Sequence, residues 1–181
     1  IESNKGFFII EHGGSLPAID YYLGYEVDVS NKLISWHKKI NDNYFQLPAQ
    51  KLLKKKIVKN INANKHYILL NRIKRYTFRA EFSPLTGLNS YIKNFCKIFY
   101  DNLDSKISDK TYLKMHPSDN DKVWKNFNFY KKISKSKVDK DEGLSKVFEN
   151  TKLITCLYPE TSFAECIANN TPSILLYPKK F

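Results

Sequence analysis

The chain has 181 residues, 42% of them hydrophobic and 14% aromatic, a composition that can bury a core and excludes a disordered polymer. Its formal net charge of +12 invites a polyanion partner, yet of 30 basic residues only Arg72, Arg75 and Arg79 are arginine. Without the planar forks that read bases bidentately, nucleic acid is not expected; a solvated lysine surface, or a face toward anionic lipid headgroups or an anionic glycan, is left.

In chain order, Ile1–Lys5 has neither an initiator Met nor a signal-peptide pattern. Phe7–Ile10 is an apolar run ending at Glu11-His12-Gly13-Gly14, which predicts a buried strand entering a glycine loop. Residues 16–29 are ambiguous, Leu33–Trp36 is a second short strand, and 50–65 is Lys- and Asn-rich without a period. His66–Leu70 reads as another buried strand. Leu88, Ile92, Phe95, Phe99 and Leu103 then repeat at helical spacing, with Asn89 or Ser90 near the start. Thr111–Met115 is a strand closed by His116-Pro117, and Val123, Trp124, Phe127 and Tyr130 predict the next helix. Residues 134–143 read as a loop, Leu144–Phe148 as a short helix and Leu153–Leu157 as a strand. A further helix runs from the Thr161-Ser162 region through Ala168, is stopped by Asn169-Asn170-Thr171-Pro172, and leads to a strand at Ser173–Tyr177. No bilayer-spanning run occurs. The last strand stops at Lys179-Lys180-Phe181, so both ends read as cut and the chain as a piece of something longer.

Apolar, non-alternating strands separated by helices predict an α/β architecture with a Rossmann-like parallel sheet covered on both faces. Ligands of such sheets bind at the carboxyl ends of the strands, and three groups of residues fall there. Gly13 and Gly14 permit a sharp turn and close approach of a ligand, while His12 is either a general base or a hydrogen-bonded turn residue. Pro117 fixes the exit of its strand, so His116 either meets a phosphate or ribose hydroxyl or faces solvent. Ser162 with Glu165 three residues on has capping-box spacing. Thr161 and Ser162 at a helix N-terminus also suit a phosphate, so capping alone and capping with phosphate binding both stand. Cys96, Cys156 and Cys166 lack CxxC spacing and read as reduced core residues. His37 and His66 lack partners at metal-ligand spacing.

The stretch Ile9–Gly14, with Tyr25-Glu26-Val27 and Leu33–Trp36, resembles the histidine–glycine–glycine region of the O-antigen biosynthesis transferases. Leu153–Ile174 looks like the Thr-Ser helix signature of the same family. The layout is also similar to CDP-glycerol glycerophosphotransferases and to bacterial sialyl- and polysialyltransferases. The resemblance implies the C-terminal half of a GT-B fold truncated at both ends. It divides the chain into 1–60, the end of an acceptor-side domain carrying the HGG loop, and 61–181, an incomplete nucleotide-binding domain. It implies that His116 and Pro117 hold the donor nucleotide, that Thr161 and Ser162 hold its phosphate, and that His12 deprotonates an acceptor hydroxyl. The family has glutamine where Glu11 stands, which bears on the basicity of His12, and an arginine-containing R-x-Y-P where this chain reads Lys114-Met115-His116-Pro117.

The resulting expectation is an inverting glycosyltransferase of surface-polysaccharide synthesis, with His12 and Glu11 catalytic and Gly13, Gly14, His116, Pro117, Thr161, Ser162 and Glu165 around the donor. It has no metal or cofactor of its own and takes a nucleotide-sugar donor and a glycan or lipid-linked acceptor. It is cytoplasmic, with peripheral contact to anionic inner-leaflet lipids. An epimerase on the same fold and a non-enzymatic basic binding module are the alternatives.

Overall fold

The computed structural model describes residues 6–10, 28–36, 42–48, 53, 57–71, 89–116, 126–135, 137–139, 143–158 and 161–176. Strands β1 (Phe8–Ile10), β2 (Lys32–Ser35) and β3 (Tyr44–Gln46) form a small sheet in that order, all parallel. Leu33 is fully buried with Tyr44 against Ile9. Phe8, Ile10 and Phe45 are all exposed. The register pairs Ile10 with Ile34 and Ile34 with Phe45, so the other face of this sheet is also apolar.

The second sheet is built from β4 (Lys65–Leu69), β5 (Thr111–Lys114), β6 (Val138–Asp139), β7 (Thr151–Cys156) and β8 (Ser173–Leu175). Its order is β6-β5-β4-β7-β8, and every neighbouring pair is parallel. The helices are α1 (Asn89–Asp101), α2 (Ser105–Ser108), α3 (Asn126–Ile133), α4 (Leu144–Asn150) and α5 (Thr161–Ala168). The architecture is the expected α/β, Rossmann-like one.

Strand alternation divides the core. Ile68, Leu70, Leu113, Met115 and Leu157 face α1 and α3, where Cys96, Tyr100 and Tyr130 close over them. Tyr67, Leu69, Ile154 and Cys156 face the opposite way, against Val147 and Phe148 of α4 and Cys166 of α5. Ile92, Phe95 and Phe99 supply the helical stripe by which α1 packs.

The helix stop at Asn169–Pro172 has a defined cause. Asn170 adopts the left-handed region with φ 50°. Its N–H donates to the Ile167 carbonyl at 3.0 Å, and the Thr171 N–H donates to the Cys166 carbonyl at 2.9 Å. Those two bonds are the Schellman pair that satisfies the last carbonyls of a helix.

Several expectations needed correction. Residues 134–143, read as a loop, contain β6, a two-residue edge strand too short to leave a periodic signal. Strand β3 and the four-residue helix α2 also went unread. In α2 the Asp104 carboxylate accepts the Lys106 N–H at 2.8 Å, an N-cap with only one turn behind it. Strand β8 ends at Leu175, short of the expected Tyr177.

The chain moves outward from β4 to β5 to β6, then returns to the other side of β4 for β7 and β8. Strand order therefore reverses between β4 and β7. The helices following those two strands lie on opposite faces, and at such a reversal the ligands of open α/β sheets bind along the carboxyl edge.

Candidate functional site

Three strand ends define that edge. β4 runs into buried Leu70 and half-buried Asn71, β5 into buried Met115 and exposed His116, and β7 into buried Leu157 and half-buried Tyr158. Pairing persists to the rim: the Leu70 N–H donates to the Lys114 carbonyl at 2.9 Å, and the Leu176 N–H to the Cys156 carbonyl at 2.9 Å. β5 and β7 flank β4, so their backbones are separated by two strand spacings, about 10 Å.

Helix α5 opens directly after β7, with Thr161 and Ser162 half-buried in its first turn. The helix starts two residues ahead of where a Ser162 cap would begin it, so the cap position falls on residue 160, outside the described residues. The first N–H groups of a helix have no intrahelical acceptor and carry the positive end of its dipole, so Thr161 and Ser162 present donors suited to an anion. Glu165 sits one turn further on, and its carbonyl accepts the Asn169 N–H at 3.1 Å and side-chain amide at 2.8 Å.

His116 and the Thr161–Ser162 corner thus stand on one edge of one parallel sheet, on either side of β4. Glu11, His12, Gly13, Gly14, Pro117 and His37 lie outside the described residues.

Sequence reasoning missed what His66 does. It begins the buried part of β4, at the opposite edge, and is 5% exposed. Its Nδ1 lies 2.9 Å from the Thr111 hydroxyl and its Nε2 lies 2.8 Å from the Thr155 hydroxyl. The Thr111 hydroxyl donates to the Ile107 carbonyl at 2.8 Å, so it accepts from Nδ1–H, and Nε2 accepts from Thr155. Burial lowers the His66 pKa to about 4, so the ring is neutral and ties β5, β4 and β7 together. Thr111 and Thr155, two polar residues inside apolar strands, were the available signal.

A second feature went unread at the carboxyl edge. Lys114 and Asp139 form an ion pair at 3.2 Å between β5 and β6, with side chains 5% and 13% exposed. The chain carries two Asp-x-Asp spacings, Asp119-Asn120-Asp121 and Asp139-Lys140-Asp141. Of their carboxylates only Asp139 is described, and it is committed to Lys114.

The three cysteines are buried and free, as expected of core residues. Burial pushes the Cys96 thiol up to about 12. The Cys166 thiol is raised by its hydrogen bond with Cys156 and by burial. Among the described residues no helix is long and apolar enough to cross a membrane.

The family model described as LIC12162 family transferase matches residues 1–181, and the chain belongs to that family. No curated protein matches it.

Proposed function

We propose that, within this transferase family, the chain transfers a glycosyl group from a nucleotide-activated donor to a hydroxyl of a surface-polysaccharide acceptor. The observation that supports this reading most is the strand reversal between β4 and β7, with His116 on one side of β4 and the α5 N-terminus on the other. A donor lying across that edge meets His116 with its nucleoside part and the Thr161–Ser162 amides and hydroxyls with its phosphates.

The acceptor oxygen attacks the anomeric carbon from the face opposite the leaving group, and the bond from that carbon to the donor phosphate oxygen breaks. The electron pair leaves with the nucleotide, whose growing negative charge is met by the α5 N-terminus. The acceptor proton goes to His12, and the sugar is inverted. A nucleotide donor places the reaction in the cytoplasm, with the lysine surface available to anionic lipid of the inner leaflet.

The test is titration of the full-length protein with CMP, CDP, UDP and GDP. One of them should bind, and His116→Ala and Thr161→Ala should each weaken that binding about 10-fold, as loss of a charge-assisted hydrogen bond does. If neither variant weakens it, the donor site is elsewhere. His12→Ala should lower turnover about 100-fold, and unchanged turnover removes His12 from the mechanism. Product formed without any acceptor would favour the epimerase alternative.

A further inference from the structure

The carboxyl end of β5 is held more firmly than a two-residue partner strand accounts for. A parallel ladder joins β5 to the β6 segment, and its flanking bonds run from the Leu113 N–H to the Lys137 carbonyl and from the Met115 N–H to the Asp139 carbonyl, both at 2.9 Å. To this ladder the Lys114–Asp139 ion pair adds a side-chain tie, and it falls on the same residue pair that the register places opposite each other. Asp139 therefore holds β5 both by its side chain at Lys114 and by its backbone, with its carbonyl accepting from Met115. His116 leaves the sheet at the next position. Leu113 and Met115 face α1 and α3, so Lys114 projects to the opposite face, and strand alternation gives His116 the same direction one step nearer the rim.

Stability alone does not call for this pair. Stripping water from an ammonium and a carboxylate costs several kcal/mol, and apolar pairs of similar volume commonly hold buried positions as well or better. We propose that the Lys114–Asp139 pair is a positioning device: it clamps the end of β5 to the edge strand and so fixes the direction in which His116 meets the donor. The inference rests on the donor-site reading above.

A mutant cycle read by nucleotide binding separates positioning from general support. The full-length protein is compared with Lys114→Met/Asp139→Leu, with His116→Ala, and with all three changes, using whichever of CMP, CDP, UDP or GDP binds the unaltered protein. The pairless variant should melt within a few degrees of the original and bind about 10-fold more weakly. Adding His116→Ala to it should cost less than about 2-fold further, because the imidazole is already misdirected and coupled residues are not additive. Asp139→Asn, which keeps the shape and removes the charge, is carried through the same cycle, so a pairless variant that fails to fold does not end the test. Additive losses in the folded variant, or unweakened binding in it, overturn the clamp and leave the donor site standing. An unaltered protein that binds none of the nucleotides overturns both.

Discussion

The two edges of the five-stranded sheet are built on different principles. At the amino edge, polar side chains inside the strands are turned on one another: His66 bridges Thr111 and Thr155, and the Thr151 hydroxyl donates to the Lys65 and Leu153 carbonyls, 3.1 and 2.9 Å away. At the carboxyl edge the strands end in buried Leu70, Met115 and Leu157, and the polar residues that follow, Asn71, His116 and Tyr158, are half-buried or exposed. The amino edge ties three strands together through buried side-chain hydrogen bonds, whereas the carboxyl edge carries the Lys114–Asp139 pair and then leaves the sheet through polar residues that reach the surface. Histidine is the clearest contrast, since His66 is locked and His116 is exposed, and composition does not tell the two apart.

The comparison breaks most sharply at His66. His66→Ala leaves a hole between β4 and its neighbours and removes the partner of two buried hydroxyls, so denaturant unfolding should show a loss of about 4 kcal/mol. Nucleotide affinity of the folded fraction should not change. An affinity change would mean that the amino edge also serves the donor site.

Acid should find the same residue. The folded pKa of His66 is about 4, below the ordinary 6.5, so the unfolded chain takes up a proton first as pH falls. The stabilisation is complete above pH 6.5 and is lost progressively between 6.5 and 4, reaching roughly 3 kcal/mol at about 1.4 kcal/mol per unit. His66→Gln, which does not titrate, should flatten that part of the stability curve. A curve of the same shape in His66→Gln would assign the acid sensitivity to another group.

At the carboxyl edge the loss should fall on affinity and spare stability. Thr161→Ala and Ser162→Ala in the first turn of α5 should change unfolding free energy by about 0.5 kcal/mol or less, as surface substitutions do. Thr161→Ala should still cost about 10-fold in nucleotide affinity, about 1.4 kcal/mol. Equal losses of stability and affinity would make Thr161 a folding residue and void its assignment to the phosphate. Chelator treatment sharpens the same site: if the α5 N-terminus carries the leaving-group charge, turnover should survive EDTA, and its abolition would transfer that task to a cation.

The sequence carried the alternating strands and helices from His66 onward because each strand is apolar on both faces and each longer helix keeps its stripe. It did not carry β6, whose two residues have no period, or β3, whose single buried residue Tyr44 sits beside exposed Phe45 and Gln46. His116 and Thr161 could be placed at strand ends because Pro117 and the Thr-Ser pair mark where those strands give way. The partners of His66 and Lys114 could not be placed. Thr111, Thr155 and Asp139 are 45, 89 and 25 residues away from them, and only the strand order brings each pair together. Local spacing reports elements and their ends, whereas the polar ties between strands depend on register.

The smallest effect tests whether the two edges are independent along α5, which joins them. Its N-terminus stands at the carboxyl edge, and its far end, at eight residues and 1.5 Å per residue, is about 12 Å away. There Asn170 holds the left-handed conformation, and its carbonyl accepts from the Lys59 ammonium at 3.0 Å. Alanine resists that backbone region and glycine does not, so Asn170→Ala should lose about 1 kcal/mol of stability while Asn170→Gly stays near the original. Thr161 keeps its place in both, because a frayed last turn does not move the first, and nucleotide affinity should be the same in the two variants. Should Asn170→Ala weaken nucleotide binding where Asn170→Gly does not, the end of α5 would be setting the pose of its beginning, and the division of labour between the edges would fail along a helix that connects them.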